Sequence, residues 1–298
     1  MKFIISGGTG FIGRRLVDSL RQDGHYVAIW SRKPRTEKRS GVEVFHWDPL
    51  EGEPTEDSLS GFDVVVHLAG EPVAQRWDDD VKRKIRDSRV LGTHRLVSAI
   101  SKLKHRPKAL ICSSATGYYG SRGDELLDEN SGPGTGFLAQ ACIGWEKWAD
   151  AAVPLGLRVA KIRTGIVLGK DGGALAKMLP AFRLFAGGEL GSGKQWMPWI
   201  HVDDLVAMFL FAIEGSAAGA LNGTAPNPVT NKEFTAKLGK VLRRPTFFRI
   251  PEFALQGLYG EMAEVLLTGQ RVIPVAAQSL GFQWKYPGLE EALHNLLA

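Results

Sequence analysis

The chain has 298 residues, of which 44% are hydrophobic and 23% are charged, and its formal net charge is +5. This composition is ordinary for a globular protein, and the length allows a sizeable core in one large domain or two smaller ones. Because no run of about eighteen apolar residues occurs and the small basic excess is interspersed with acids, we expect neither a membrane span nor a nucleic-acid partner.

A glycine-rich turn separates the first predicted strand from the first predicted helix. Residues 3–5 are apolar, and after the turn apolar residues recur at helical spacing until Gly24. Between them, Gly7, Gly10 and Gly13 follow the pattern G-x-x-G-x-x-G, in the strand-to-helix context that a dinucleotide site requires. One glycine permits the tight turn, one lets the backbone approach a pyrophosphate, and one lets the helix pack closely on the strand. We therefore predict that this turn binds the phosphates of a dinucleotide.

The end of the second predicted strand, residues 25–30, indicates which dinucleotide is bound. An NAD site places Asp or Glu here to hold the ribose 2′-hydroxyl. This chain has Ser31, Arg32 and Lys33 instead, and an arginine can accommodate a 2′-phosphate that a carboxylate would repel. We predict NADP(H) rather than NAD(H). The alternative is that Arg32 and Lys33 are solvated loop charges.

The next two predicted strands are residues 42–47 and 63–70. The second is an almost continuous apolar run, as expected for a central parallel strand. It ends in Ala69 and Gly70, small residues against which a cofactor can lie, and His67 is predicted to be a packed strand residue. After the first of these strands, Asp48 is interpreted either as a ligand of the adenine edge or as an ordinary turn acid.

A group of hydroxyl side chains follows the fifth predicted strand, residues 107–112. Ser113, Ser114 and Thr116 come where the carboxyl ends of parallel strands border the ligand crevice of an α/β sheet. A long helix over residues 77–102 precedes this strand. A loop over 121–136, a helix over 137–152 and a strand over 157–164 follow it.

Strand and helix therefore alternate six times, which predicts an α/β fold with a Rossmann-type doubly wound parallel sheet over residues 1–170. The rhythm changes after Gly169. We predict that residues 171–298 form a smaller α+β substrate lobe, with possible chain exchange between the lobes. In this lobe Asp203 or Asp204 is expected to cap a helix that ends at Ile213.

These motifs resemble the extended short-chain dehydrogenase/reductase superfamily. The matching stretches are 7–13 (GGTGFIG), 63–70 (DVVVHLAG), 113–116 (SSAT), 163–169 (RTGIVLG) and 201–204 (HVDD). The resemblance implies that further residues at the matching positions contact the cofactor, namely Thr9, Phe11, Ile12, Leu68, Ser113 and Ile166, together with Glu71, which directly follows the 63–70 stretch.

The chain is more similar still to one atypical branch, the epimerase-family proteins labelled sugar-nucleotide epimerase-like or cell-division-inhibitor-like. The stretches typical of that branch are 31–34 (SRKP), 68–71 (LAGE), 88–89 (SR), 198–201 (PWIH), 221–223 (LNG) and 269–274 (GQRVIP). This resemblance runs nearly end to end. It implies a small-molecule substrate, possibly linked to a sugar or a nucleotide.

The chain lacks the Tyr-x-x-x-Lys pair with which the superfamily performs acid/base chemistry. If Glu146 matches the glutamate four places after that lysine, Leu138 stands in place of the tyrosine and Cys142 in place of the lysine. Leucine has no proton to give, and a thiol offers no positive charge. Only the hydroxyl position, Ser114, survives as a candidate catalytic residue, and the atypical branch shares these losses.

Arg89 stands where the family places an active-site asparagine. We interpret it as a residue that approaches the cofactor and fills the space of the missing lysine, and the alternative is a surface helix charge. Lys84 is a second candidate nearby. Tyr118 and Tyr119 are close to Ser114 in sequence. Either could reach the nicotinamide side as a replacement proton donor, and packing is the alternative for each. His201 either titrates near neutrality or anchors the junction between the lobes.

The two cysteines, Cys112 and Cys142, favour a reducing compartment over a disulfide framework or a zinc site. The strand that begins at the N-terminus leaves no room for a signal peptide, so we expect a cytoplasmic protein without a metal site. Two functions remain open. The chain is an NADP(H)-dependent oxidoreductase or epimerase, or it holds or senses NADP(H) without turnover and acts through protein partners. Its oligomeric state stays open.

Overall fold

The computed structural model describes residues 1–33 and 41–298. Pro34, which ends the 31–34 stretch, lies outside the described residues. Within them the strands, in chain order, are β1 (Lys2–Ser6), β2 (Tyr26–Ser31), β3 (Glu43–His46), β4 (Val64–His67), β5 (Ala109–Ala115), β6 (Leu126–Leu127), β7 (Arg158–Thr164), β8 (Ile166–Leu168), β9 (Gly188–Leu190), β10 (Trp196–Met197), β11 (Trp199–His201), β12 (Gly219–Gly223), β13 (Val229–Thr230), β14 (Phe248–Ile250) and β15 (Arg271–Val272).

The helices lie between these strands or after the last of them. In chain order they are α1 (Phe11–Gln22), α2 (Asp79–Lys102), α3 (Phe137–Asp150), α4 (Gly173–Arg183), α5 (Val202–Glu214), α6 (Asn231–Leu242), α7 (Glu252–Tyr259), α8 (Ala263–Leu267), α9 (Val275–Ser279) and α10 (Leu289–Leu297). None of these helices combines the length and the apolar character needed to cross a membrane.

Seven strands form one parallel sheet in the order β12-β7-β5-β4-β1-β2-β3. This order reverses direction between β1 and β4, the position at which α/β sheets leave a crevice for ligands. Alternate residues of the strands face opposite sides, so that Ile5 packs in a core with α1 and α5 while Ile4 packs in a core with α2 and α3. The predicted doubly wound fold is confirmed.

Strand β12 belongs to the large sheet although it lies after residue 170. It pairs in parallel with β7, with Leu221 opposite Ile162. Helix α5 packs on the same sheet, and the Arg158 guanidinium of β7 donates hydrogen bonds of 2.7–2.9 Å to the carbonyls of Ala212, Ile213 and Ala217 around its C-terminal end. The division of the chain near residue 170 stays a prediction, and β12 and α5 cross that division.

Helix α5 begins differently from the expectation. The side chain of His201, and not of Asp203 or Asp204, caps it: His201 Nδ1 accepts the Asp203 N–H at 3.0 Å. Asp204 is buried, and its carboxylate accepts the N–H groups of Lys285 and Tyr286 at 2.7 and 3.0 Å. His201 therefore anchors α5, and burial lowers its pKa below the usual value.

Candidate cofactor and substrate site

The three glycines of the N-terminal turn have three distinct structural roles. Gly7 has a φ of +70°, and a Cβ there would lie 2.9 Å from the carbonyl carbon of Leu68. A Cβ at Gly13 would lie 2.2 Å from Gly7 O, so its absence lets α1 lie against the end of β1. A Cβ at Gly10 would meet only Gly7 O, at 3.1 Å, and Gly10 precedes the first turn of α1. Gly10 therefore presents open backbone and the N–H groups of a helix N-terminus to an anion.

A cavity of about 700 Å³ opens beside this turn at the carboxyl ends of β1, β2 and β4. Ten of the residues that the sequence assigned to the cofactor line it: Gly7, Thr9, Gly10, Ser31, Arg32, Lys33, Leu68, Ala69, Gly70 and Glu71. Trp30, Trp47, Asp48, Pro49 and Leu50 also line it. Arg32 and Lys33 are exposed at its edge, and Ser31 Oγ accepts the Lys33 N–H at 3.1 Å.

Phe11, Ile12 and Gly13 support the turn from behind. The Phe11 ring packs over Gly169, Gly172 and Gly173, and a Cβ at Gly172 would lie 2.2 Å from it. Ile12 packs on the core beneath the sheet. None of the three is among the residues that line the two cavities described for residues 1–33 and 41–298. The contacts of Phe11 hold the glycine turn against the 169–173 segment.

A buried histidine fixes the backbone across the crevice from the turn. Ser6 Oγ accepts the N–H groups of Leu68 and Ala69 at 3.1 and 3.2 Å and lies 2.6 Å from His67 Nδ1. Since the hydroxyl already accepts two N–H groups, its own hydrogen goes to Nδ1, and His67 Nε2–H donates to Thr93 Oγ1 at 3.1 Å. This arrangement needs a neutral imidazole, and burial lowers the pKa of His67 to about 3.

The neutral His67 is expected to make the fold sensitive to acid. Its pKa is about 3 in the folded chain and 6.5 in the reference state, so the unfolded chain binds the extra proton first. Stability is therefore complete above pH 6.5 and falls by about 1.4 kcal/mol per pH unit as the pH drops toward 3. Urea unfolding of wild type and His67→Asn between pH 7 and 4.5 measures this. The free energy of unfolding should fall more steeply with decreasing pH in wild type than in the variant, by the slope that one bound proton gives. Equal slopes would show that His67 does not titrate as described.

A second cavity of about 390 Å³ continues from the first at Leu68 and Gly70, over the ends of β5 and α3. Besides Leu68 and Gly70, four further predicted residues line it: Arg89, Ser113, Ser114 and Ile166. Ser114 is only 2% exposed, and its Oγ donates to Glu146 Oε1 at 2.7 Å. Glu146 in turn forms a bidentate ion pair with Arg163, at 2.8 and 2.9 Å. The hydroxyl hydrogen of Ser114 is thus already donated to a group of the protein.

Leu138 and Cys142 line the same cavity, facing the end of β5. A Cβ at Gly117 would lie 3.4 Å from Leu138 Cβ and 4.0 Å from Cys142 Sγ. Burial raises the pKa of Cys142 to about 11, so its thiol is neutral. Helix α3 therefore brings no acid, base or cation to this part of the cavity.

Tyr118 and Tyr119 are engaged by Arg163. The Tyr118 ring centroid lies 3.6 Å from the Arg163 guanidinium carbon, and Tyr118 is absent from the lining of both cavities within the described part of the chain. Tyr119 is fully buried: its hydroxyl donates to Asn222 at 2.7 Å and accepts from Arg163 at 2.9 Å. Burial raises the pKa of Tyr119 to about 12. Both tyrosines pack against the ion pair and do not meet Ser114 in the cavity.

Arg89 lies where the two cavities join. Its Nη1 donates to the carbonyls of Glu71 and Ile85 at 2.9 and 3.0 Å, and its guanidinium lies 5.1 Å from the Trp145 ring centroid. A Cβ at Gly70 would come within 3.1 Å of the guanidinium. Burial lowers the pKa of Arg89, and its charge in turn acts to lower the pKa of the Cys142 thiol. A positive charge therefore lies beside the place of the missing lysine, but it comes from α2.

Lys84 lies one turn earlier on α2 and is exposed. Its Nζ forms an ion pair with Asp80 at 2.6 Å, and neither of the described cavities includes it in its lining. The two basic candidates on α2 therefore have different surroundings, and the structure brings only Arg89 to the site.

Several site residues were missed in the sequence. Trp30 and Trp47 line the first cavity, and Glu264, Thr268 and Gln270 line the second. The 269–274 stretch was noticed only as a mark of resemblance. Its strand β15 pairs with β6, and no local sequence pattern predicts this long-range contact.

Residues 3–224 match the NAD dependent epimerase/dehydratase family, and residues 250–296 match a domain of unknown function, DUF1731. An Arabidopsis thaliana protein named "Epimerase family protein SDR39U1 homolog, chloroplastic" is 45% identical over 306 residues, which cover 100% of this chain and 87% of that protein.

Two solved structures are similar in both sequence and fold. Human epimerase family protein SDR39U1 (isoform2), crystallised with NADPH, has a TM-score of 0.87 and 35% identity and covers 99% of both chains. A nucleoside-diphosphate sugar epimerase from Corynebacterium glutamicum has a TM-score of 0.79 and 36% identity, covering 100% of this chain and 58% of that one.

Proposed function

Because the chain belongs to the NAD dependent epimerase/dehydratase family, we propose that it binds NADP(H) and acts as an oxidoreductase or epimerase on a small molecule. The predicted resemblance to the atypical epimerase branch is confirmed by these relatives. The observation that carries the proposal is the pair of joined cavities, with the glycine turn and Arg32 in one and the end of β5 in the other.

The residues present fit a phosphorylated dinucleotide. Gly10 and the N-terminus of α1 would hold the pyrophosphate, and Arg32 and Lys33 would hold the 2′-phosphate. The segment 47–50 would border the adenine. Ile166 and Ser113 would border the nicotinamide. The cofactor, when bound, supplies hydride transfer. The protein's own residues bind, orient and shield it.

Arg89 is proposed as a positioning residue that supports the cofactor at the junction of the cavities. Its hydrogen bonds hold the carbonyl of Glu71, next to Gly70, and its charge takes the place of the missing lysine. Lys84 has no such contact to the cavities, so its assignment to the cofactor rests on sequence alone.

For catalysis we rank Ser114 above Tyr118. Ser114 lines the second cavity, and because its hydrogen is donated to the carboxylate of Glu146, its oxygen can only accept a hydrogen bond from a substrate. Tyr118 would have to leave its stack on Arg163 before it could enter the cavity.

The alternative, a protein that holds or senses NADP(H) without turnover, is favoured by one specific observation. Leu138 and Cys142 occupy the cavity wall where the family has its acid and its lysine, and neither offers a proton near neutral pH. In this alternative the protein binds the cofactor but catalyses no reaction with it.

Titration of the purified protein with NADPH and NADH, followed by incubation of the complex with pooled metabolites, separates these functions. Oxidation of bound NADPH, or isomerisation of a metabolite, supports the enzyme. Tight NADPH binding without either change supports the holder. Failure to bind NADPH contradicts both.

Arg32→Asp is expected to weaken NADPH binding by about 100-fold and NADH binding by less than about threefold. The new carboxylate repels the 2′-phosphate, a group that NADH lacks. Lys104→Asp is the control, because it makes the same charge change at an exposed residue beyond the C-terminal end of α2. Equal losses for the two cofactors would refute our account of the 2′-phosphate.

A further inference from the structure

We propose that the second cavity accepts an uncharged ring compound bearing a carbonyl or hydroxyl group, and excludes nucleoside diphosphate sugars. The inference rests on the proposed function, because it concerns the part of the same site beyond the cofactor.

The outer walls of the cavity present aromatic ring surfaces. Trp77 and Trp196 line it, and each indole N–H is already used: Trp77 Nε1 donates to the Val73 carbonyl at 2.8 Å and Trp196 Nε1 to Asp124 at 2.7 Å. Phe137 packs against Trp77, with ring centroids 5.3 Å apart. What these side chains offer a ligand is therefore apolar ring surface, which favours stacking with a flat or alicyclic ring.

Charge is scarce in this cavity. Among its lining residues only Arg89 and Glu264 carry charged side chains. Nη1 of Arg89 is bonded to two backbone carbonyls behind Gly70, at the cofactor end. At the mouth the exposed Glu264 carboxylate has no ion-pair partner among the described residues.

A diphosphate would find one counter-charge in this cavity, the Arg89 guanidinium at the cofactor end, and none at the mouth. It brings about two negative charges, and transfer of an unpaired charge out of water costs several kcal/mol. Glu264 would add like-charge repulsion. Arg271 stacks on Trp196, 4.5 Å from its ring centroid, but does not line the cavity.

The remaining polar groups in the lining are neutral. The side chains of Thr116, Ser121, Thr135 and Gln270 make no hydrogen bond within residues 1–33 and 41–298. Hydroxyl and amide groups can each donate and accept. They can hydrogen-bond to a carbonyl or hydroxyl group of the ligand, but they cannot neutralise a charge on it.

Binding of matched probes to the NADPH-loaded protein tests this inference. The probes are 6-acetyl-2-naphthamide and 6-acetyl-2-naphthoate, which share a ring and a ketone and differ in one negative charge, together with UDP-glucose. Calorimetry should show the amide binding at least about tenfold more tightly than the carboxylate, and UDP-glucose should not displace it.

Three results would overturn the inference: equal binding of the two naphthyl probes, displacement by UDP-glucose, or no binding of the amide at about 1 mM. Because NADPH binding is measured first, its absence would instead overturn the proposed function. The two failures are thus distinguishable.

Two variants extend the test without depending on one another. Trp196→Ala should weaken the amide probe by at least about tenfold. NADPH should still bind, since Trp196 does not line the first cavity, which would hold the phosphates. Glu264→Lys should allow UDP-glucose to bind where wild type excludes it. If Glu264→Lys changes the affinity of neither probe class, charge at the mouth does not select the ligand.

Discussion

Gly10→Val is expected to weaken NADPH and NADH binding by at least about 100-fold while the protein stays folded. In the structure a Cβ at Gly10 meets only Gly7 O, at 3.1 Å, and Gly10 has an extended backbone with a φ of −75°. Valine fits this backbone, but its methyl groups enter the first cavity, where the pyrophosphate must approach the N–H groups of α1. Calorimetry with both cofactors, together with thermal unfolding, measures the two effects.

Two other glycine substitutions give this prediction its controls. Gly132→Val places a side chain where the structure shows open space, so cofactor affinity should not change. Gly13→Ala should instead destabilise the fold, because its Cβ would lie 2.2 Å from Gly7 O. A Gly10→Val protein with wild-type affinity would show that phosphates do not bind at this turn.

Glu146→Ala is expected to destabilise the protein by about 3–5 kcal/mol, because it leaves a buried arginine without its counter-charge. Glu146 and Arg163 are 5% and 4% exposed, and two hydrogen bonds join them. Burial alone would lower the pKa of Arg163, but the contacts with Glu146 raise it above its usual value. The arginine stays charged, so the charge cannot be lost by deprotonation.

Urea unfolding at pH 7 measures this loss, and an exposed pair provides the comparison. Lys240 and Glu290 are 2.6 Å apart with side chains 71% and 39% exposed, so Glu290→Ala should leave the stability almost unchanged. Equal small effects of the two substitutions would mean that the buried pair is no more important than a surface one.

The sequence predicted best what depends on local pattern. The glycine turn, the central strand with His67 and the alternation of strand and helix each require only neighbouring residues, and the structure places them as expected. Helix bounds differ by a few residues, as for α2, which begins at Asp79 rather than at residue 77.

Long-range contacts explain what the sequence could not predict. The direction of the Ser114 hydroxyl depends on Glu146, 32 residues away, and Tyr118 is held by Arg163, 45 residues away. His201, rather than an aspartate, caps α5, because the Asp204 carboxylate accepts the N–H groups of residues 285 and 286. Each of these partners is fixed only once the sheet has formed.

The place of β12 in the large sheet has a consequence for synthesis. Until residue 223 has left the ribosome, β7 is an uncovered edge with unpaired N–H and C=O groups. The first 170 residues thus emerge with an unpaired sheet edge, although they carry every residue that lines the first cavity. During translation the nascent chain is exposed to edge-to-edge aggregation and to chaperone capture, and arrival of β12 and α5 ends that period.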